Sequence, residues 1–202
     1  MSPMQVAERM TADEFLLIED PRHLQLIEGE VVVTEAEWLH QRVSGDLYFA
    51  LRVWIAAATD RGEVTLPIDV RVDERNVYTP DLSWYAKGHV PPGRAPKRHA
   101  EGRVPDDPAI DPPYPLPDLA IEIRSTSTWR YDVGTKKRVY EQCGLLELWL
   151  VDTDAQSVLV FRRSTPDQPA FDIALELDRS TNLTSAMLPG FDLPLVILFP
   201  EE

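Results

Sequence analysis

Residues 117–152 read PDLAIEIRSTSTWRYDVGTKKRVYEQCGLLELWLVD, and this stretch decides the fold prediction. Its apolar run at 118–124 is typical of a strand, the segment from about 135 to 143 is typical of a helix, and LLELWLVD is typical of a second, buried strand. One acidic residue, Glu122, interrupts the first strand, and the basic run KKR follows where the chain becomes helical. The functional prediction depends on whether Glu122 is a ligand or a solvent-facing residue.

The other segments complete a single α+β domain over residues 1–202, with a central mixed β-sheet flanked by helices. A capping box from Thr11 to Glu14 opens a short helix. The clearest helix runs from Ala36 to Thr59, where apolar residues recur at spacings of three and four. The remaining strand patterns are LQLIEGEVVV as a hairpin, VTLPIDVRV, TPDLSWYA, SVLVFRR, FDIALEL and FDLPLVILF.

Composition restricts the class of protein. With 44% hydrophobic residues the chain can bury a real core, and its single cysteine, Cys143, fits a reducing compartment. The N-terminus lacks the apolar region of a signal peptide, and no apolar run approaches the ~18 residues of a membrane span, so we expect a cytoplasmic protein. Zinc, P-loop, dinucleotide-binding and nucleophile-elbow motifs are all absent. The net charge of −14 argues against broad, nonspecific nucleic-acid binding.

A Pro-rich loop at 87–117 separates two strand patterns. Its first half is basic and its second half is acidic. Such a long loop is either functional or an insertion particular to this lineage, and the sequence leaves both open. If the protein binds DNA, the local contacts that we expect lie in the basic half, at Arg94, Lys97, Arg98 and Arg103.

Two carboxylates are candidates for a metal site. Asp81 follows Pro80 at the start of one strand and Glu122 lies within another, so that their oxygens, with the backbone carbonyl of Ile123, can hold Mg²⁺ or Mn²⁺. A nearby lysine can then orient water or offset charge on a phosphate. The alternative is structural, because alternation places Ala120, Glu122 and Arg124 on one face of the strand, which can simply be solvated.

The surrounding pattern resembles the Uma2 family of the PD-(D/E)XK, restriction-endonuclease-like superfamily. That family shows a PDL-x-x-E-[VI]-x-S-x-S-T strand and loop, then Y-D-x-G-x-K-x-x-x-Y and G-x-x-E-x-W-x-V-D. The resemblance covers roughly residues 10 to 163. The matching positions in residues 119–152 are Glu122, Ser125, Ser127, Thr128, Tyr131, Asp132, Gly134, Lys136, Tyr140, Gly144, Glu147, Trp149 and Asp152.

The resemblance implies a restriction-endonuclease-like fold and a Mg²⁺- or Mn²⁺-dependent endonuclease that cleaves DNA as a homodimer. It implies that Asp81 and Glu122 are catalytic and bind the metal together with the Ile123 carbonyl. It also implies that the catalytic lysine has moved from the strand to the following helix, at Lys136. Arg124 occupies the strand position that the superfamily pattern gives to lysine, where it can bind phosphate but is a poor base.

Four further positions qualify this prediction. His40, Glu30 and Asp132 are candidates for substrate contact or for support of the site, although His40 can equally be a satisfied polar group and Asp132 a helix cap. Gln25 stands where the family often has Glu, which weakens any second metal site. Gln25, Arg124 and the negative net charge together leave an alternative open, in which the protein is a catalytically silent binding or assembly module. Tyr140 and Trp149 are predicted core residues.

Overall fold

A six-stranded mixed sheet forms the centre of the protein, in a computed structural model that describes residues 9–19, 23–35, 37–89 and 114–200. The helices are α1 (Ala12–Leu16), α2 (Trp38–Ala56), α3 (Trp129–Tyr131) and α4 (Lys137–Gln142), and a π-helical turn at Asp132–Lys136 joins α3 to α4. The strands are β1 (Leu24–Ile27), β2 (Glu30–Val33), β3 (Glu63–Thr65), β4 (Val70–Asp73), β5 (Asn76–Tyr78), β6 (Leu82–Tyr85), β7 (Leu119–Ile123), β8 (Glu147–Asp152), β9 (Ser157–Arg162), β10 (Ile173–Asp178), β11 (Asn182–Leu183) and β12 (Leu193–Pro194).

The order of strands in the central sheet is β10-β9-β8-β7-β6-β3. Strands β7 and β8 pair in parallel, with Ile121 opposite Trp149, and the other neighbours are antiparallel. Parallel neighbours require a crossover connection, which α3, the π-helical turn and α4 provide. A second sheet, of order β2-β1-β5-β4, contains the predicted hairpin of β1 and β2. The α+β class with a mixed sheet is therefore confirmed.

Helices cover both faces of the central sheet around β7. On one face, Leu119 and Ile121 belong to the same core cluster as Val43 and Leu47 of α2. On the other face, Ala120 packs with Tyr140 and its neighbours in α4. Every residue of β7 is buried as a result. The alternative in which Ala120, Glu122 and Arg124 form a solvated strand face is therefore wrong for the first two residues.

Two strand predictions differ from the structure. The segment 64–72 was predicted as one strand, but it contributes to β3 in the central sheet and to β4 in the second sheet. Pro67, which has no N–H to donate, lies between them. In 191–199 only Leu193–Pro194 is a strand, because the chain then turns, with Ile197 donating to the carbonyl of Pro194. Within the described ranges, no helix has the length and apolar character needed to span a bilayer.

The crossover helix begins earlier than the predicted residue 135. The hydroxyl of Ser125 accepts a hydrogen bond from the N–H of Thr128 (3.2 Å), and the Ser125 carbonyl accepts one from Trp129. This local bonding starts the helical segment at Trp129. The π-helical turn then follows within the helix, and such turns occur frequently at functional sites.

Candidate active site

Strand pairing brings Asp81 beside Glu122. Leu82 of β6 lies opposite Ile121 of β7, so the register carried one residue further places Asp81 opposite Glu122. Asp81 immediately precedes β6, and its charge helps to raise the pKa of Glu122, so the two side chains lie near each other. The structure thus brings together the two carboxylates that the sequence pattern paired.

Asp81 is held by two hydrogen-bonding partners. Its Oδ2 accepts a hydrogen bond from the N–H of Ile123 over 2.6 Å. Its Oδ1 lies 3.0 Å from Nε2 of His40, in the first turn of α2. Because the N–H and C=O of one strand residue point to the same side, the Ile123 carbonyl also faces the Asp81 side of β7. The predicted third oxygen therefore has the required direction.

Glu122 is the centre of a buried charge cluster. Its Oε1 lies 3.0 Å from Nζ of Lys136, and the hydroxyl of Tyr140 donates to the same oxygen over 2.9 Å. Nζ of Lys136 is also 2.8 Å from Oδ1 of Asp132, one helical turn earlier. The exposed fractions are 3% for Glu122 and 1% each for Asp132 and Lys136. Two carboxylates therefore share one ammonium group out of contact with water.

The environment changes the proton affinity of these groups. Burial raises the pKa of Glu122 to about 8, with the charges of Asp132 and Asp81 adding to burial and Lys136 opposing it. Burial likewise raises the pKa of Asp132, again against Lys136. Burial alone would lower the pKa of Lys136, but the two carboxylates outweigh it and raise that pKa. Lys136 therefore stays positively charged at neutral pH.

His40 is a buried partner of Asp81. Burial lowers the pKa of His40, but the hydrogen bond to Asp81 and the charges of Asp81, Asp132 and Glu37 together raise it above its ordinary value. His40 is only partly satisfied as a polar group. Its Nε2 contacts Asp81, but its Nδ1 is buried with no hydrogen-bond partner among the described residues. His40 thus orients Asp81.

The structure places Asp132 and Lys136 deeper than the sequence suggested. Asp132 is the first residue of the π-helical turn, and its buried carboxylate pairs with Lys136. Lys136 ends the π-helical turn, well inside the helical segment that begins at Trp129, and its side chain is buried. Nζ of Lys136 also lies 5.5 Å from the centre of the Tyr78 ring, a cation–π contact.

Arg124 lies at the rim of the site, outside the buried cluster. Its guanidinium is 3.0 Å from Asp152 and 2.8 Å from Asp154, and it lies over the ring of Trp129. A pocket of about 330 Å³ opens beside it. The pocket is lined by Glu37, Arg124, Ser125, Thr126, Trp129, Arg130, Thr153 and Asp154.

Other predicted residues lie elsewhere. Glu30 is exposed beside the hairpin turn and its carboxylate is 3.8 Å from Arg9, so the described contacts do not join it to the cluster. Gln25 is buried, and its Oε1 has no hydrogen-bond partner in the described part of the chain. The predicted DNA contacts lie outside the described residues: Arg94, Lys97, Arg98 and Arg103.

Tyr140 is the residue whose place in the site the sequence did not indicate. It was predicted as core, and it is fully buried, but its hydroxyl ends on Glu122. The available signal was its position four residues after Lys136, which places both side chains on one helix face. Among the described residues, no three His, Cys, Asp or Glu side chains are arranged to hold a metal ion by themselves.

Comparison with known proteins supports this assignment of the fold. The crystal structure of "a putative nuclease belonging to DUF820" from Anabaena variabilis matches with a TM-score of 0.71 and 19% identity, covering 94% of this chain and 97% of that one. This likeness establishes the fold. No curated protein matches the chain.

The family comparison covers almost the whole sequence. The profile of the Uma2 family, described as "Putative restriction endonuclease", matches residues 12–196. The match extends beyond residue 163, where the sequence resemblance ended, and includes the C-terminal strands. The protein therefore belongs to the Uma2 family.

Proposed function

We propose that the protein is a Mg²⁺- or Mn²⁺-dependent endonuclease of the PD-(D/E)XK type that hydrolyses phosphodiester bonds in DNA. One observation carries the proposal: Asp81 is bonded to the N–H of Ile123, the residue after Glu122, and Lys136 contacts Glu122. The family description, "Putative restriction endonuclease", and the fold shared with the "putative nuclease belonging to DUF820" from Anabaena variabilis support the same activity.

The donor set fits a divalent cation. The cluster contains two buried carboxyl groups, Glu122 and Asp132, against one lysine, and the partly buried Asp81 lies beside it, so ionising all three groups leaves an excess of negative charge that a bound cation would balance. Carboxylate and carbonyl oxygens are the ligands that Mg²⁺ prefers, and water completes its coordination. Asp81, Glu122 and the carbonyl of Ile123 would hold the ion.

Each residue then has a defined part in hydrolysis. A bound cation supplies polarisation of the phosphate and a more acidic water. Lys136, which stays protonated, donates hydrogen bonds and offsets negative charge, so it is not the group that accepts the proton of the attacking water. His40 holds Asp81 in place through Oδ1, and the N–H of Ile123 holds Oδ2.

The proposal includes two further statements, that the substrate is DNA and that the protein acts as a homodimer. A homodimer would supply two catalytic centres, one for each strand of a duplex. The net charge of −14 makes the affinity for DNA depend on local basic residues and on low salt. Light scattering coupled to size exclusion tests the dimer directly, and a monomer at all concentrations would contradict it.

Cleavage of supercoiled plasmid tests the activity. The wild-type protein is assayed in low salt with Mg²⁺, with Mn²⁺ and with EDTA, beside Asp81→Asn, Glu122→Gln and Lys136→Met. These substitutions preserve side-chain size, and thermal unfolding of each variant checks that it is folded at the assay temperature, so that a loss of cleavage reports on charge. We expect cleavage that depends on the cation and falls in each variant by at least about 100-fold.

A surface variant provides the matched control. Arg52 is exposed on α2 and pairs with Glu63, remote in sequence from every site residue, so Arg52→Ala should cleave as the wild type does. Equal cleavage by the wild type and all three site variants would indicate a contaminating nuclease and would contradict the catalytic roles of Asp81, Glu122 and Lys136. Single-stranded DNA and RNA in parallel assays identify the preferred phosphodiester.

A catalytically silent module for binding or assembly is the second candidate. The specific observation in its favour is that both carboxylates next to Lys136 already engage its ammonium, while no three-ligand group is preformed among the described residues. This candidate predicts neither cleavage nor calorimetric binding of Mn²⁺. The metal titration therefore separates the two functions even when the substrate is unknown.

A further inference from the structure

The two oxygens of the Glu122 carboxylate have different surroundings. Oε1 accepts from the hydroxyl of Tyr140 at 2.9 Å and lies 3.0 Å from the ammonium of Lys136. For Oε2, the described part of the chain shows no hydrogen bond or ion pair. One hydrogen bond and one ion pair therefore both fall on Oε1, so Oε2 is the oxygen left for a cation.

Lys136 alone does not fix this orientation. Its ammonium is shared, because Asp132 lies closer to it (2.8 Å) than Glu122 does (3.0 Å). A lysine side chain also has four rotatable carbons between the backbone and its charge. If Asp132 took the ammonium entirely, Oε1 would lose this partner and keep the hydrogen bond from the Tyr140 hydroxyl.

Tyr140 provides the more rigid contact. Its ring is completely buried and packs edge-to-face on Tyr78, with ring centres 5.2 Å apart at 80°. Tyr140 lies on α4, which packs on this face of the sheet, and its hydroxyl donates a hydrogen bond to Glu122. A tyrosine has only two side-chain torsions, and packing restrains both, so the hydroxyl stays where the helix places it.

We propose that Tyr140 is a positioning residue that, with Lys136, holds Glu122 Oε1 and so presents Oε2 to the catalytic divalent cation. This inference rests on the proposed function and assigns a role to a residue otherwise explained by packing. Hydrogen-bond partners of metal-binding carboxylates typically change metal affinity by about 10–100-fold when they are removed.

The chain contains a matched control, Tyr78. Both tyrosines are fully buried in one cluster, and Tyr78 donates its hydroxyl to Asn76 (2.7 Å) instead of to Glu122. Tyr140→Phe and Tyr78→Phe each remove one buried hydroxyl and keep the ring. Thermal unfolding in EDTA checks that both variants fold.

Calorimetric titration of the metal-free full-length proteins with MnCl₂ is the test. We expect the dissociation constant for Mn²⁺ to rise at least about tenfold in Tyr140→Phe and less than about threefold in Tyr78→Phe. Equal affinity in the two variants, with Mn²⁺ bound by the wild type and lost in Glu122→Gln, would overturn the role of Tyr140 and leave the proposed function standing. No Mn²⁺ binding by the wild type, or binding unchanged in Glu122→Gln, would overturn both.

Discussion

The main-chain N–H of Ile123 donates a hydrogen bond to Oδ2 of Asp81 over 2.6 Å. The strand that presents Glu122 therefore also orients the second carboxylate of the site. Both carboxylates depend on one pairing, β6 with β7, and a change in that pairing displaces them together. Stability and activity can consequently be separated by the choice of substitution at Asp81.

Asp81→Asn and Asp81→Ala are expected to differ in stability but not in activity. The amide oxygen of Asn can still accept from Ile123, so the free energy of unfolding should stay within about 1 kcal/mol of the wild type. Ala leaves that N–H without its partner and should cost about 1–3 kcal/mol. Both remove the negative charge and should abolish plasmid cleavage. Urea unfolding and the cleavage assay measure the two effects, and an active Asp81→Asn protein would contradict the role of Asp81 as a metal ligand.

Lys136 and Asp132 should be strongly coupled. Removing Lys136 alone, as Lys136→Met, leaves Glu122 and Asp132 buried without their cation, and should destabilise the fold by about 3–5 kcal/mol. The double variant Asp132→Asn/Lys136→Met should recover a large part of this loss. A double-mutant cycle from urea unfolding gives the interaction energy, and additive effects would show that the ion pair is unimportant for stability.

The stability of the metal-free protein should fall as pH rises from about 4.5 to 9. Burial raises the pKa of Glu122 to about 8, so the folded state keeps a proton that the unfolded chain loses near pH 4.3. More protons bound in the folded state mean that unfolding becomes easier as pH increases through this window. The raised pKa values of Asp132 and His40 act in the same direction.

Thermal unfolding in EDTA across this pH range measures the effect. Glu122→Gln, which has no proton to lose, should show a shallower decline, and Mn²⁺ should raise the wild-type melting temperature more at pH 8.5 than at pH 6. A wild-type melting temperature that rises steadily between pH 6 and pH 8.5 in EDTA would show that the buried carboxyl groups are already ionised at pH 6.

Arg124 and Asp154 should affect DNA binding in opposite directions. Arg124 is about one-third exposed and its ion pairs lie at the surface, so Arg124→Ala should change the free energy of unfolding by less than about 1 kcal/mol. If the guanidinium contacts a phosphate, this variant weakens binding and reduces its salt dependence by about one phosphate contact. Asp154→Ala frees the same guanidinium and should strengthen binding. Fluorescence anisotropy with a labelled duplex in Ca²⁺ measures the affinity of each variant. If the wild type and both variants bind the duplex equally well, Arg124 does not contact the substrate.

Gln25→Glu should strengthen cation binding. Gln25 lies on the same face of β1 as Ile27, which packs in one cluster with Tyr140, and its buried Oε1 is unpartnered among the described residues. A carboxylate there adds a ligand or a neighbouring charge for the metal, at some cost to stability without it. Titration with Mn²⁺ should give a second binding event or a lower dissociation constant. If the variant binds Mn²⁺ as the wild type does, residue 25 lies too far from the metal to contribute.

The sequence predicted the strands and the carboxylate pair better than it predicted burial. Alternation correctly places Ala120 and Glu122 on one face of β7, but it does not show whether that face is covered. Coverage depends on the packing of α4, a contact between elements. The same limit applies to Tyr140, whose pattern indicates a core side chain but not that its hydroxyl ends on Glu122.

The local irregularities were also beyond sequence analysis. The π-helical turn at Asp132–Lys136 has no composition signal in the printed chain, and the division of 64–72 between two sheets depends on which partner strands are available. Propensity describes single segments, whereas both features follow from tertiary packing. The family resemblance, in contrast, indicated Asp81, Glu122 and Lys136 as a group, and the structure brings these three together.

The pairing of β6 with β7 has a consequence for how such a protein can diversify. Asp81 and Ile123 are 42 residues apart in sequence, yet a single ladder from Leu82 opposite Ile121 sets their relative position. The length of the intervening chain contributes little to that geometry, since the entropy of closing a loop grows only slowly with its length. Insertions or deletions between the two strands that leave Leu82 opposite Ile121 should therefore preserve the relative position of the two carboxylates.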